Sequence, residues 1–376
     1  MASPQQEFNV GIIGYGLSAK VFHIPFIGLT PSLVLHSIVQ RSPVPGNSAP
    51  EDFPSIKHFT NASELLSDPS VDIVVIGTPP NTHFTLARDA LLAGKHVLVE
   101  KPFVPTSAQA HELAALARQK NRIITVYQNR RWDSDFLTVQ KLIRDGEIGR
   151  VIEFETHFDR FRPQKPPASW KLDLPMSKGG GVLYDLGTHL LDQVFVLFGM
   201  PTAVLAKFVN QREGRVVTGE GEGQEPDSVS LMLSYADTGM LALVRIGVVS
   251  AEEEQVRFWV RGSRGSFHKT GLDPQENHLR AGGKATDPGF GTEDASRYGK
   301  LSFVGDDGVI GSRVCPTVEP ETYRRFYELF ANAVASGKEE DAPVSATQAA
   351  RVLEIIEAAK ESARTGREVA PQSHRD

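Results

Sequence analysis

The chain reads as an α/β domain with a doubly wound parallel sheet, followed by an α+β domain with a large, mostly antiparallel sheet. Three observations predict this. Up to residue 128, short apolar runs alternate with helical segments, the pattern of parallel strands joined by crossover helices. From Gly149 onward that alternation stops, and extended runs follow one another without intervening helices. At 376 residues the chain exceeds the size one hydrophobic core usually reaches. Two domains are therefore expected, 1–128 and 129–376, the second including the C-terminal helices.

Composition narrows the function classes. Apolar content of 40% and charged content of 23% describe a globular chain, and a net charge of -6 without a basic run argues against a nucleic-acid partner. Cys315 stands alone, which excludes an internal disulfide or a thiolate zinc site; no metal is expected, and a reducing compartment is. The first residues, Met1 to Glu7, lack a basic region followed by an apolar one, no run reaches membrane-spanning length, and Ser373 to Asp376 is not a peroxisomal address. The expectation is a cytoplasmic protein acting on a small molecule.

The first domain opens on the apolar strand Phe8 to Ile13, which runs into Gly14-Tyr15-Gly16-Leu17-Ser18-Ala19. This G-x-G-x-x-A turn between strand and helix is a dinucleotide fingerprint. Gly14 permits the tight turn, Gly16 lets a pyrophosphate approach, and Ala19 keeps the helix close, while Leu17 and Ser18 lie in the same cradle. A second strand, Val34 to Val39, ends at Gln40-Arg41-Ser42. An acid that would hold a ribose 2′-OH is missing there; Arg41 and Ser42 suit a 2′-phosphate instead. The expected cofactor is NADP(H), with NAD possible. Asp72 to Gly77 reads as a third strand, stopped by Thr78-Pro79-Pro80 with His83 beyond. Helix Phe84 to Ala93 ends at Gly94. The run from Lys95 through Val97, Leu98 and Val99 then ends abruptly at Glu100-Lys101-Pro102. A lysine just past a strand's carboxyl end is placed for chemistry, although local sequence alone also fits a surface turn. Helix Ser107 to Lys120 and strand Ile123 to Gln128 complete the repeat.

Asn129 to Asp133 marks the crossing, with Tyr127, Arg130 and Trp132 equally readable as packing residues. Strands are predicted at Arg150 to Phe158, Thr202 to Asn210, Ser228 to Tyr235, Gly239 to Val249 and Val256 to Arg261. Between them, Ser177 to Gln193 carries three glycines and then Leu183, Leu186, Leu190, Val194 and Leu197 at helical spacing. Asp185 and His189, four apart, share one helical face. An aspartate beside a histidine suits acid–base work near neutral pH, while the spacing also fits an ordinary surface pair. Arg160, Trp170 and Lys171 read as packing or solvent-facing residues, with a sugar or polyol contact as the other reading. Arg212 to Asp227 reads as a solvated hairpin connection and Arg280 to Asp294 as a loop long enough for a flap; Asp273, Gln275 and Glu276 have no assigned role. Glu321 to Ser336 and a helix opened by the capping box Ser345 to Gln348 and ending at Gly366 finish the fold.

Taken together, the Gly14 fingerprint, Thr78-Pro79-Pro80 with His83, Gly94-Lys95-His96-Val97, Glu100-Lys101-Pro102, Asp185 and His189 resemble the Gfo/Idh/MocA (glucose-fructose oxidoreductase / inositol dehydrogenase / rhizopine catabolism) family over nearly the whole length. Within the family, Gly16-Leu17-Ser18-Ala19-Lys20-Val21-Phe22-His23-Ile24-Pro25 and Tyr127 to Asp133 resemble the branch containing NADP-dependent scyllo-inositol dehydrogenases and uncharacterised microbial relatives. The resemblance implies a Rossmann domain, Lys101, Asp185 and His189 as the catalytic set, and a Lys101-Pro102 bond that is often cis. Thr78, Pro79, Pro80, His83, Glu100 and Lys101 would flank the cofactor. It further implies interconversion of a secondary alcohol and carbonyl of a polyol, inositol or sugar, and a homo-oligomer formed through the second domain's sheet. The other readings are a catalytically silent dinucleotide-binding regulator and a reductase of a non-sugar carbonyl.

Overall fold

A computed structural model describes residues 6–165, 173–221 and 223–372. Trp170 and Lys171 lie outside the described residues, as do the first five residues and Ser373 to Asp376. The chain forms two compact units: Met1–Asn129 with Asn277–Phe290 and Glu321–Ala350, and Arg130–Glu276 with Gly291–Pro320 and Arg351–Asp376. Among the described residues no helix is long and apolar enough to cross a membrane.

The first unit holds six parallel strands: β1 (Phe8–Ile13), β2 (Leu33–Val39), β3 (Lys57–Phe59), β4 (Ile73–Ile76), β5 (His96–Val99) and β6 (Ile124–Val126), in the order β3-β2-β1-β4-β5-β6. The run predicted as a third strand is the fourth. Lys57–Phe59 is too short and too polar to announce itself, and it pairs only with β2. β4 and most of β5 are apolar and enclosed on both faces, as a parallel strand between two helical layers must be. The sheet's order reverses between β1 and β4, which makes that the point where loops part to opposite faces.

After the glycine turn a helix runs from residue 17 to 28 and widens to a π turn at Ala19–His23. Pro25 follows two residues after its end. It has no N–H to give to Val21 and its ring crowds that carbonyl, so the ladder widens rather than continuing. Helix Arg324–Ser336 and its N-cap Tyr323 lay Tyr323, Phe326 and Tyr327 against Phe22, Phe26 and Tyr127, with Phe330 beside Phe326; Phe26 and Tyr327 stack 6.0 Å apart at 7°. Each enclosed ring contributes about 1.5–3 kcal/mol, which is why this late helix belongs with the first unit. Val344 and Ser345 then lie along the free edge of β6, with the Thr125 hydroxyl donating to the Val344 carbonyl at 2.8 Å.

The second unit is built on nine strands: β7 (Val151–Asp159), β8 (Ala203–Asn210), β9 (Arg215–Val217), β10 (Ser228–Tyr235), β11 (Met240–Gly247), β12 (Val256–Gly262), β13 (Gly265–Thr270), β14 (Gly299–Val304) and β15 (Ile310–Cys315). Their order is β15-β14-β13-β12-β7-β11-β10-β8-β9. Every pairing is antiparallel except β7 with β11. Phe154, Leu231, Leu233, Val244, Phe258 and Val260 form the inner face, while Met232, Leu243, Glu155, Trp259 and His268 form a row across the outer one. β13 to β15 were not predicted because their alternating positions carry Ser, His, Lys and Arg rather than a clean apolar stripe. The Arg212 to Asp227 segment is the hairpin expected, with β9 folding back on β8.

Candidate functional site

In the first unit the ladders extend by one residue past the strand ends. The amide of Gly14 donates to the Val39 carbonyl, that of Gly77 to Ile13, that of Glu100 to Ile76 and that of Tyr127 to Val99, at 2.9–3.0 Å. One sheet edge therefore presents, side by side, the glycine turn, the Thr78-Pro79-Pro80 loop and Glu100-Lys101. Gly14 has φ +103°, and a Cβ there would sit 2.7 Å from the Gly77 carbonyl oxygen, so no other residue fits. Above Gly16 a Cβ would meet nothing within 4 Å. The turn is open where a pyrophosphate must approach, and a helix, whose first amides have no partner within it, begins directly after the turn at Leu17. Ser18 lies against Gly77, whose added Cβ would stand 3.1 Å from the Ser18 hydroxyl. This donor set fits a dinucleotide.

Beyond β2, Gln40 fastens the following loop, its amide donating to the Asn47 carbonyl and its carbonyl accepting from Ala49, both at 2.7 Å. Arg41 and Ser42 are left exposed on that loop, and among the described residues the Arg41 guanidinium has no acceptor. On the other side, Thr78 and Thr82 share a 2.6 Å hydrogen bond between hydroxyls, closing the Pro-Pro turn.

His83 and Glu100 occupy supporting places rather than open ones. His83 is fully enclosed, Nε2 facing the Thr78 carbonyl at 2.8 Å and Nδ1 the Pro102 and Phe103 carbonyls at 3.0 and 3.1 Å. It ties the Pro-Pro loop to the Lys101-Pro102 segment, whose bond is cis, and offers no nitrogen outward. Burial lowers its pKa despite the surrounding carbonyls. Glu100 is also buried. Its Oε2 accepts the Lys101 amide at 2.9 Å and its Oε1 lies 3.1 Å from His23 Nε2; His23 Nδ1 in turn is 2.6 Å from the Tyr327 hydroxyl. Burial alone would raise the Glu100 carboxyl, but His23 and Lys101 hold it below the ordinary range. His23 is a residue the sequence did not single out for this task; its signal is an imidazole inside an otherwise apolar helix face.

In the second unit Asp185 and His189 do lie along one helix. Its opening, Leu183–Gly187, is a π turn, and the α-helix proper is Thr188–Phe198. Asp185 is partly exposed and His189 buried. One turn past His189, on its face of the helix, Asp192 takes both Arg131 Nε (2.8 Å) and Nη2 (2.7 Å). Gln193 donates to the Arg130 carbonyl at 2.8 Å and accepts from Arg257 Nη2 at 2.7 Å. Arg257 and Asp135 are both fully enclosed and pair at 3.2 Å, and Arg130 binds Asp133 at 3.0 Å and also Glu276. Asp273 caps the helix Ser134–Arg144, accepting the Ser134 amide at 2.7 Å and that of Gln275 at 2.9 Å. The helix bearing His189 is thus held in register by buried arginines, and Asp273, Gln275 and Glu276 acquire structural roles.

The comparisons with known proteins agree with these arrangements. Residues 8–128 match the model of the oxidoreductase family's NAD-binding Rossmann fold, and residues 140–370 match that of its C-terminal alpha/beta domain. The chain is 40% identical to the uncharacterized oxidoreductase YdgJ of Escherichia coli, covering 95% of this chain and 97% of that one. It is 34% identical to the scyllo-inositol 2-dehydrogenase (NADP(+)) IolW of Bacillus subtilis, covering 96% and 95%. The solved structure of the oxidoreductase yvaA from Bacillus subtilis superposes with a TM-score of 0.88 at 32% identity, over 98% of this chain and 100% of that chain. With both domain models matched in order over nearly the whole length, the chain belongs to the Gfo/Idh/MocA oxidoreductases and is an NAD(P)-dependent enzyme of that family.

Proposed function

We propose that this enzyme interconverts a secondary alcohol and a carbonyl of a polyol, inositol or sugar with NADP(H), using Lys101, Asp185 and His189. The carrying observation is the end of β2: two polar groups suited to a phosphate, Arg41 and Ser42, exposed where an acidic side chain would select the unphosphorylated ribose. The alcohol class is supported by the 34% identical scyllo-inositol 2-dehydrogenase IolW and by a levoglucosan dehydrogenase of Pseudarthrobacter phenanthrenivorans, 25% identical over 286 residues.

The nicotinamide, when bound, takes up or returns the hydride of the carbinol carbon. The protein has the proton to manage. His189 Nε2 or Nδ1 accepts the hydroxyl proton during oxidation and gives it back during reduction. Lys101 donates a hydrogen bond to the same oxygen as negative charge develops there. Asp185, four residues before His189, orients the imidazole. Glu100, His23 and His83 fix the backbone on either side of Lys101.

The cofactor assignment is tested by initial rates with both coenzymes over a panel of inositols, aldoses and dicarbonyls. NADP(H) is expected to be preferred at least tenfold in kcat/KM. Arg41→Ala should lower that efficiency by about 10- to 100-fold, the worth of a charge-assisted phosphate contact, and leave NAD(H) efficiency within about threefold. A preference for NADH in the unaltered protein refutes the assignment.

We also propose that the protein self-associates through the outer face of the nine-stranded sheet, where Leu241 and Trp259 are exposed beside Leu243 and Met232. Light scattering should give a multiple of the 41.1 kDa chain mass, and Trp259→Glu should shift it toward the monomer. A monomer at tens of micromolar unaltered protein overturns this.

A further inference from the structure

Among the described residues, three arginines near the His189 helix are engaged by side-chain partners. Arg130, Arg131 and Arg257 spend their donors on Asp133, Glu276, Asp192, Asp135, Gln193 and Thr156. Arg160, at the end of β7 in the same unit, differs. Among the described residues no carboxylate, carbonyl or hydroxyl lies within hydrogen-bonding reach of its guanidinium, although the side chain is more than half enclosed.

Its position is fixed. The Arg160 amide donates to the Gly247 carbonyl at 2.9 Å and its carbonyl accepts from Ser250 at 3.0 Å, so the backbone is gripped from both sides. The guanidinium carbon stands 4.7 Å from the centroid of the buried Phe158 ring. A guanidinium over a ring face is attracted by the ring's quadrupole, and this contact uses none of its N–H donors, which a planar anion can take in pairs. The charges acting on it are Arg162 and Arg130 of like sign and Asp185 and Glu276 of opposite sign, which places the guanidinium in the electrostatic neighbourhood of Asp185. Burial is the largest influence and lowers its pKa, the expected consequence of enclosing a cation that no carboxylate among the described residues pairs with directly. Glu276 is already claimed by Arg130, so it does not neutralise Arg160.

A largely enclosed guanidinium with no carboxylate bound to it among the described residues is costly to maintain unless a ligand completes it. We propose that the substrate carries an anionic group, a carboxylate or a phosphate ester, which seats on the edge of Arg160 while its carbinol lies at His189. This rests on the oxidoreductase reading above and narrows its substrate class from neutral polyols to sugar or polyol acids and phosphates. A guanidinium matches either anion through paired parallel N–H donors.

Initial rates with NADP+ on matched pairs test it: glucose beside gluconate, glucuronate and glucose 6-phosphate, and myo-inositol beside its 1-phosphate. At least one anionic member should exceed its neutral counterpart about tenfold in kcat/KM, and whether the carboxylates or the phosphates lead identifies the group. Arg160→Gln should cut the anionic advantage by about 10- to 100-fold and leave neutral substrates within about threefold; Arg160→Lys, which keeps the charge without the planar edge, should fall between. Equal use of neutral and anionic members, with Arg160→Gln affecting both alike or neither, overturns the inference while leaving the oxidoreductase reading intact. If no member of the panel turns over, that reading fails for these substrates. Calorimetry with glucuronate and inorganic phosphate then decides the inference separately: binding that Arg160→Gln abolishes supports it, and no binding to the unaltered protein overturns it.

Discussion

His189→Ala and Lys101→Met should each lower turnover by about a hundredfold or more, with NADPH affinity by fluorescence titration and the melting temperature close to those of the unaltered protein. The two losses have different origins. Without His189 the hydroxyl proton has no acceptor, so reduction and oxidation slow together. Without Lys101 the developing negative charge on oxygen loses a donor, and a methionine of similar length preserves packing against the segment that Glu100 and His83 brace. If both groups act on one oxygen, the double variant should be little worse than the poorer single one, because residues that work as a unit are not additive. His23→Ala offers a control on the same segment. It breaks the support of Glu100 without touching the proposed chemistry, so its effect should fall on stability and only modestly on turnover. Near-normal turnover in both His189→Ala and Lys101→Met would remove the proposed mechanism.

Much of the nucleotide-binding half was legible because its central strands are short and mainly apolar, and β1, β4 and β5 are followed within three residues by glycine or proline. Phe8–Ile13 and Ser107–Lys120 have the predicted bounds, and the capping box is realised with Ser345 accepting the Gln348 amide at 3.1 Å. Less was legible where tertiary context overrides local pattern. The three-residue β3 has no stripe of its own. The π turns at Ala19–His23 and Leu183–Gly187 break the period of four on which helical readings rest, and both fall inside the motifs that carry the proposed site. Arg257 is the clearest case. Strand parity puts it on the outer face with Trp259 and Arg261, but β12 is irregular between Val256 and Phe258, and Arg257 is fully enclosed. A one-residue slip that re-aims a side chain leaves no mark in composition or periodicity.

That buried arginine carries the largest expected effect on stability. Arg257 pairs with Asp135 at no solvent exposure and also donates to Thr156 at 2.9 Å and Gln193 at 2.7 Å. Arg257→Leu keeps an apolar stem but leaves Asp135 enclosed without its counter-ion, which should cost about 3–5 kcal/mol in urea unfolding. Replacing Asp135 by Leu as well should recover most of it, since removing both charges removes the desolvation penalty along with the attraction. The loss should depend on pH. Asp133 is raised well above the ordinary carboxylate range by burial, against the pull of Arg130, and Asp273 is raised from 3.8 to about 6 by burial and then by the Asp135 charge. Such groups bind a proton more readily folded than unfolded. Their contribution therefore favours the fold below about pH 4 and is lost as pH rises through about 6. Withdrawing a positive charge from the cluster pushes these carboxyls further upward, so the destabilisation by Arg257→Leu should be greater at pH 8 than at pH 5. A loss that is the same at both pH values, or greater at pH 5, would mean that packing rather than the enclosed charge governs the site.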